Sequence, residues 1–532
     1  MKIIKEYNYD VAVIGGGVAG CAVAVLWSLM AAVILGLLML YGESVDWISK
    51  PTLLLSRPIL LAIGLVTVLA LLAIGCWKKK GICALAERLG GWPILVFSVA
   101  LFAAQAYIFY QSYFLTGWDS GEIVRTAQSW AYGLPIKNEW YFAEYPNNIF
   151  LTSIYKWIFS ANAAIGNPAN DVYVVILLNS LLSCLTGGLL FSVLRRQMGT
   201  VYGYLGWLVF VAHVALSPWI FILYSDSFVL IVPLLILWMY QRAQEAKHPW
   251  LWWLGIGAAA YLGFKIKPQV ILVPVALVVV EVLEWIRQKG RKPLLALGKR
   301  LVAALAAMAV CLGLYVGLIE PAFLYELDPD QEIGFTHFIM MGLNSESNGT
   351  YSGEDVELSE AARDQEERKR ENLRVIGERL EQMGVGGLAR HLACKTLVNY
   401  GDGSYAWMQE GGFFLETYED KHSTPAMIFK NFYYGNDKEV FVTLENGIWL
   451  VLLLGCVGVA FFFLRRAQTS PVLLAAVTSL IGLTLFELLF EARARYLFIY
   501  SPFYILVGLL GWREWGRMIQ GIRKKEKKNG VQ

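Results

Sequence analysis

Charge is what this sequence has least of. Of 532 residues only 16% are Asp, Glu, Lys or Arg, and 57% are hydrophobic, against about 25% and about 45–50% in soluble domains. So little charge cannot cover the surface of a soluble domain of this length, and most of the chain is read as membrane-embedded. A net charge of +3 supplies no field for a nucleic acid, and none is expected among the partners. Cysteine is also scarce: Cys21, Cys76, Cys184, Cys311 and Cys456 fall in apolar runs, Cys83 follows a lysine cluster, and only Cys394 lies in the large polar segment. That distribution excludes a disulfide framework and a CxxC metal site. The N-terminus lacks a convincing signal peptide, because the first apolar run, Val11–Tyr41, is too long and uninterrupted, and the run is expected to be retained.

Long apolar runs are abundant. Stretches able to cross a hydrocarbon core of about 30 Å lie near residues 20–41, 58–77, 92–115, 172–194, 201–224, 227–241, 249–264, 269–286, 300–319, 446–464, 470–490 and 496–512. They predict an all-α polytopic membrane protein of about twelve transmembrane helices. Pro218, Pro233, Pro268 and Pro274 interrupt the runs around 201–241 and 249–286, where kinked or re-entrant helices are expected. The basic clusters at 78–80, 195–196, 241–247, 287–292, 465–466 and 523–528 fall on one side of a twelve-span count, which the positive-inside rule makes the cytoplasm. Lys50 and Arg57 dissent. Both termini are then cytoplasmic, and two long polar segments, 116–171 and 320–445, face outward. The chain divides into extra N-terminal helices (1–91), a membrane core (92–319) carrying the outer loop 116–171, an extracytoplasmic, mostly helical segment (320–445), and C-terminal helices with a basic tail (446–532). No internal repeat suggests the paired halves of a secondary transporter.

The stretch YDVAVIGGGVAGCAVA, residues 9–24, resembles the N-terminus of FAD-dependent oxidoreductases: Gly15, Gly17 and Gly20 match G-x-G-x-x-G after an apolar run. The motif works only if a polar-faced helix leads to a second strand ending in an acid. Here no Asp, Glu, Lys or Arg occurs from Val11 to Tyr41, and Glu43 comes too late. The glycines are better placed in or before a membrane helix, where small residues allow close packing, and no FAD site is expected. A fused or misannotated gene start is the remaining explanation.

The chemistry is expected in the outer loops. FLTGWDSGEIVRTAQSWAYG places Asp119 and Glu122 at a membrane–water boundary. The plainer reading is structural: Asp119 or Ser120 caps a helix and Glu122 complements its dipole. The sharper one is an Asp that accepts a hydroxyl proton. In GFKIKPQ, Lys265 and Lys267 lie between two spans on the outer side, where two ammonium groups break the charge bias; they either snorkel to lipid headgroups or bind an anion. The aromatics of NEWYFAEY suit sugar stacking and an interfacial belt alike, and we favour the belt. Charge-dense LSEAARDQEERKRENLRVIGERLEQMG reads as solvated helices.

From this loop onward, roughly residues 92–512, the chain resembles the GT-C superfamily of integral membrane glycosyltransferases, especially the bacterial branch near the protein O-mannosyltransferase and lipid A aminoarabinose transferase families. The resemblance rests on an acidic residue just after a span (Asp119), amphipathic stretches at 121–132 and 147–160, EYPNN at 144–148, Tyr224 and Asp226 at the outer end of a span, and Glu487, Glu491, Arg493, Arg495 and Tyr496 before the last span. Where relatives often carry a KPPL-like run, this chain has Glu144, Tyr145, Pro146 and Asn147, so a basic phosphate contact there is not supported. A further resemblance, to uncharacterised Gram-positive members, lies in HFIMMGLNSESNGTYSGEDV, with His337, Asn344, Asn348, Tyr351 and Asp355.

The resemblance implies a cell-envelope enzyme that moves a sugar from a polyprenyl-phosphate donor to a glycan, lipid or protein acceptor outside the cytoplasm, with inversion. It implies Asp119 as catalytic base with Glu122 beside it, and Lys265, Lys267, Arg493 and Arg495 on the donor phosphate. Tyr145, Tyr224, Asp226, His337 and Glu487 would line the pocket. A divalent cation stays open, since the superfamily contains both kinds, and membrane lipids surround the whole. The rival from another class is a transporter or flippase of a lipid-linked sugar; against it, the ionisable residues gather at outer ends of spans and the outer loops are large.

Overall fold

The computed structural model describes residues 2–136, 138–167, 169–288, 290–323, 327–411, 415–416, 421–465 and 470–529. Among these, ten helices are long and apolar enough to cross a membrane, and Thr200–Ala215 is a shorter apolar one. The architecture is an all-α polytopic membrane fold whose one exception among the described residues is a two-residue antiparallel pairing, Leu115–Thr116 with Leu415–Glu416. That pairing ties the polar segment 116–171 to the polar segment 320–445. Exposed Val302, Leu305 and Val310 on Arg291–Leu314, and Ile63 and Val66 on Arg57–Trp77, give these helices apolar outer faces that only lipid can solvate.

Ten of the twelve expected runs form such helices among the described residues, and the other two, 201–224 and 249–264, differ locally. The run at 201–224 forms the helix Thr200–Phe210, widens into a π turn at Val211–Ala215, and stops before Pro218. Proline lacks the amide hydrogen that would continue the helix; Pro218 instead opens a 3-10 turn, Pro218–Phe221, and residues 222–224 follow as irregular chain. The run at 249–264 forms Pro249–Ile266 but is not among the ten. Elsewhere Pro58, Pro93 and Pro471 start helices at their first turn, where a missing amide costs nothing.

Residues 9–24 lie inside one helix, Lys2–Tyr41. The glycines Gly15, Gly17 and Gly20 therefore sit on no strand-to-helix turn, and the dinucleotide geometry is absent. This helix packs against Lys438–Val457, Leu272–Gln288 and Pro471–Leu489, and one apolar core runs from Ala24 to Leu510. Gly257 is needed where Pro249–Ile266 crosses Arg291–Leu314, because a Cβ there would enter the backbone of Ala304.

The charge-dense stretch forms Gly353–Glu360, capped by Ser352, and Gln365–Tyr400, capped by Asp364 and kinked at Gly384, where φ is 55°. Its exposed pairs Arg363–Glu367 and Arg374–Glu378 sit one turn apart, as expected of a solvated helix surface.

Candidate functional site

Asp119 is the first residue of the helix Asp119–Ala131, and the capping position belongs to Trp118. The expected capping role is thereby corrected: the Asp119 carboxylate accepts a hydrogen bond from the Tyr224 hydroxyl at 3.0 Å. Tyr141 and Tyr145 complete a ring of phenols around it. Burial first, and then the Asp119 charge, pushes both hydroxyls above their usual range, so they stay protonated and available as donors. Asn148 donates to the Tyr141 hydroxyl at 2.6 Å and fixes the ring. The aromatics of NEWYFAEY thus split: Trp140 is exposed, whereas Tyr141 and Phe142 are buried, and the belt reading fails for Tyr141.

Glu122 faces elsewhere. It pairs with Arg125 at 2.6 Å and accepts from Asn138, which fastens its helix to the following turn. That is a local structural role, and the structure does not bring Glu122 to the phenol ring.

Beside the ring lies a cluster of buried charge. Lys267 Nζ is 2.7 Å from Asp226 Oδ1, and Arg495 Nε is 3.8 Å from Asp226 Oδ2 and 3.3 Å from Glu410 Oε2. Arg493 contacts Glu410 at 3.2 Å and Glu491 at 2.8 Å, and the Tyr496 hydroxyl donates to Glu491 at 2.8 Å. The Arg495 guanidinium lies over the rings of Trp118 and Tyr224, 4.5 Å and 5.1 Å from their centroids. Tyr224 therefore touches Asp119 with its hydroxyl and the cations with its ring. Stacked, charge-paired arginine can stay ionised out of bulk water.

Two further expected site residues, Lys265 and His337, do not join. Lys265 lies 4.0 Å from the centroid of Tyr315, away from Lys267. Two residues apart on a helix means roughly 200° of rotation, and Pro268 turns the chain so that Lys267 is already extended, with φ −147°. His337 is bound to Ser359 at 2.7 Å, and Ser359 in turn to Asn372 at 3.1 Å. Burial pulls its pKa down to about 4. It is a buried, neutral histidine that joins Phe335–Gly342 through Nδ1 to the helices after it. Asp355 likewise serves structure, held by Arg379 at 2.6 Å and Asn344 at 3.1 Å.

Glu487 is fully buried near the C-terminal end of Pro471–Leu489, with no hydrogen-bond partner for either carboxylate oxygen among the described residues. It faces Lys267 and Lys395 electrostatically. Lys395 escaped the sequence reading. Its ammonium donates to the carbonyls of Gly342, Leu488 and Phe490 at 2.9, 2.9 and 2.6 Å, and burial pulls its pKa down to about 8. Glu410, Trp118 and Tyr141 were also missed as site residues; a single Glu in WMQEGG carries no sequence signal. Among the described residues no three His, Cys, Asp or Glu side chains converge as metal ligands; the carboxylates of the cluster face basic groups instead.

Glu144, next to Tyr145, carries a pH signature. Burial, then the Glu360 charge, raises its pKa to about 7, opposed by Arg368. A carboxyl that binds its proton more tightly when folded makes the fold lose stability as pH rises from its unfolded value toward about 7, and the loss is complete above that. We expect the wild-type Tm to fall across that window and Glu144→Gln to flatten the fall. Parallel slopes in thermal melts would place Glu144 in water.

The chain belongs to the family described as conserved hypothetical integral membrane protein, CHIM_prot, whose model matches residues 22–515. No curated protein matches it. Among solved structures it is similar to ArnT from Cupriavidus metallidurans bound to undecaprenyl phosphate, at 15% identity over 81% of this chain and 79% of that one, with a TM-score of 0.32. It is also similar to ArnT from the same organism in the apo state, at 15% identity over 80% and 78%, with a TM-score of 0.30.

Proposed function

We propose that this integral membrane protein transfers a sugar from a polyprenyl-phosphate donor to an acceptor hydroxyl outside the cytoplasm, inverting the anomeric centre. The observation that carries the reading is the placement of one carboxylate, Asp119, and a buried cationic cluster on the two ends of Tyr224. The resemblance in the sequence to GT-C glycosyltransferases supplies the reaction class. The acceptor oxygen attacks the anomeric carbon while Asp119 takes its proton, and the bond to the phosphate oxygen breaks with its electron pair leaving on the phosphate. Lys267, Arg493 and Arg495 stabilise that departing charge, and the phenols Tyr141, Tyr145 and Tyr224 orient the base. Glu487 and Asp226 hold the cations in place. The isoprenoid lies between apolar helices, where its burial needs no polar partner.

The direct test is incubation of the purified protein with labelled polyprenyl-phosphate sugar and candidate glycan, lipid and protein acceptors. Label covalently attached to an acceptor supports the reading. Lipid carried across a vesicle membrane with its sugar bond intact would replace it with the transporter.

The reading also requires segments 116–171 and 320–445 to face outward and both termini to face the cytoplasm, as the cationic clusters imply. In a background without the exposed native Cys83, a cysteine at Glu366 is expected to react with an impermeant reagent on intact cells, and one at Lys80 only after lysis. The reverse pattern would place the site on the side where nucleotide sugars are available and end the lipid-donor argument.

A further inference from the structure

We propose that the Glu410 carboxylate is an internal stand-in for the donor phosphate, filling the space between Arg493 and Arg495 at rest and swinging out when a phosphate headgroup binds. The inference rests on the lipid-donor reading above. Its first support is geometric: one oxygen, Glu410 Oε2, lies 3.2 Å from Arg493 Nη1 and 3.3 Å from Arg495 Nε. Both guanidinium groups thus face one carboxylate oxygen, and guanidinium groups pair with phosphate oxygens as they do with carboxylate oxygens.

The cluster is also layered. Side-chain exposure is 1% for Asp226 and 7% for Glu491, but 15% for Glu410 and 23% for Arg493. Asp226 has Lys267 behind it, and Glu491 has Tyr496. Glu410 is thus the outermost of the three carboxylates and the one that returns to water at least cost. Its backbone stays fixed, since its N–H donates to the Ala406 carbonyl at 2.9 Å and its own carbonyl accepts from Trp118 Nε1 at 3.2 Å. The exchange is therefore a side-chain rotation with the segment in place.

Charge gives the exchange its purpose. At rest Lys267, Lys395, Arg493 and Arg495 face Asp226, Glu410, Glu487 and Glu491, so an added anion would be uncompensated in a buried space. A phosphodiester donor carries one negative charge and replaces Glu410 one for one. The monoester left after transfer gains a second ionisation near neutral pH, and Glu410 swinging back expels it. The carboxylate admits the donor and releases the product.

The experiment compares undecaprenyl phosphate binding to purified wild type, Glu410→Gln, Glu410→Ala and Arg495→Gln by native mass spectrometry. Binding is expected to tighten at least tenfold in both Glu410 variants and to vanish in Arg495→Gln. Glu410 variants that bind no more tightly than wild type, with Arg495→Gln still inactive in binding, would overturn the exchange and leave the donor reading standing. No binding by any form, or binding indifferent to Arg495→Gln, would overturn the donor reading and the exchange together. Carbodiimide labelling of the wild type decides the matter without a variant. Glu410 is expected to react faster when undecaprenyl phosphate is bound, and unchanged or greater protection on binding would sink the proposal.

Discussion

Asp119→Asn is expected to lower sugar transfer by about 10²-fold or more while the protein folds, melts and binds lipid phosphate as wild type does. The amide is the same size and keeps an oxygen that accepts from Tyr224, so the phenol ring retains its anchor. Because Trp118 holds the capping position, no cap is lost. What disappears is the ability to accept a proton from the attacking hydroxyl. Glu122→Gln is the control: its partners are Arg125 and Asn138, so the change weakens an exposed-side ion pair worth about 0–1 kcal/mol, and transfer is expected to stay within a few-fold. Rates measured with one donor and both variants separate the outcomes. If Asp119→Asn is fully active and Glu122→Gln is dead, the base is Glu122; if both are active, the chemistry lies outside this loop.

The membrane helices were legible because their signal is a sum over some twenty residues, which single irregularities do not erase. It failed where one residue overrides the sum: Pro218 ends the helix that the apolar run through Leu223 implies. At the site, a residue was legible when its type was anomalous for its place, such as Asp119 after a span or Lys267 between two. Direction was not legible. Lys265 and Lys267 differ by two positions, and only the chain turn at Pro268 sends one to Tyr315 and the other to Asp226. Residues contributed across distance were hidden altogether: Glu410 reaches the arginines from a polar segment in which acids are ordinary, and Lys395 is recognisable only once its three carbonyl partners converge on it. His337 is the opposite case: its rarity drew notice, and the structure gives its Nδ1 a bond to Ser359 within a buried setting.

Lys267→Met is expected to be both unstable and inactive, and the two losses have different cures. Lys267 and Asp226 have side-chain exposures of 5% and 1%. Removing one partner of such a pair strands the other, at a cost of about 3–5 kcal/mol, enough to unfold a marginally stable protein. Replacing both, as Lys267→Met with Asp226→Leu, removes the stranded charge, leaves Glu487 facing Lys395, and is expected to restore a monodisperse protein with a Tm near wild type. Arg495, 3.8 Å from Asp226, keeps Glu410 as a partner at 3.3 Å and stays ionised. Transfer is not expected to return, because the departing phosphate still lacks the ammonium that balances it; the defect is expected in kcat as well as in KM for the lipid donor. Melting curves and transfer rates on the single and double variants read the two effects separately. A double variant that folds and transfers at the wild-type rate would make Lys267 and Asp226 a structural pair and remove Lys267 from the phosphate site.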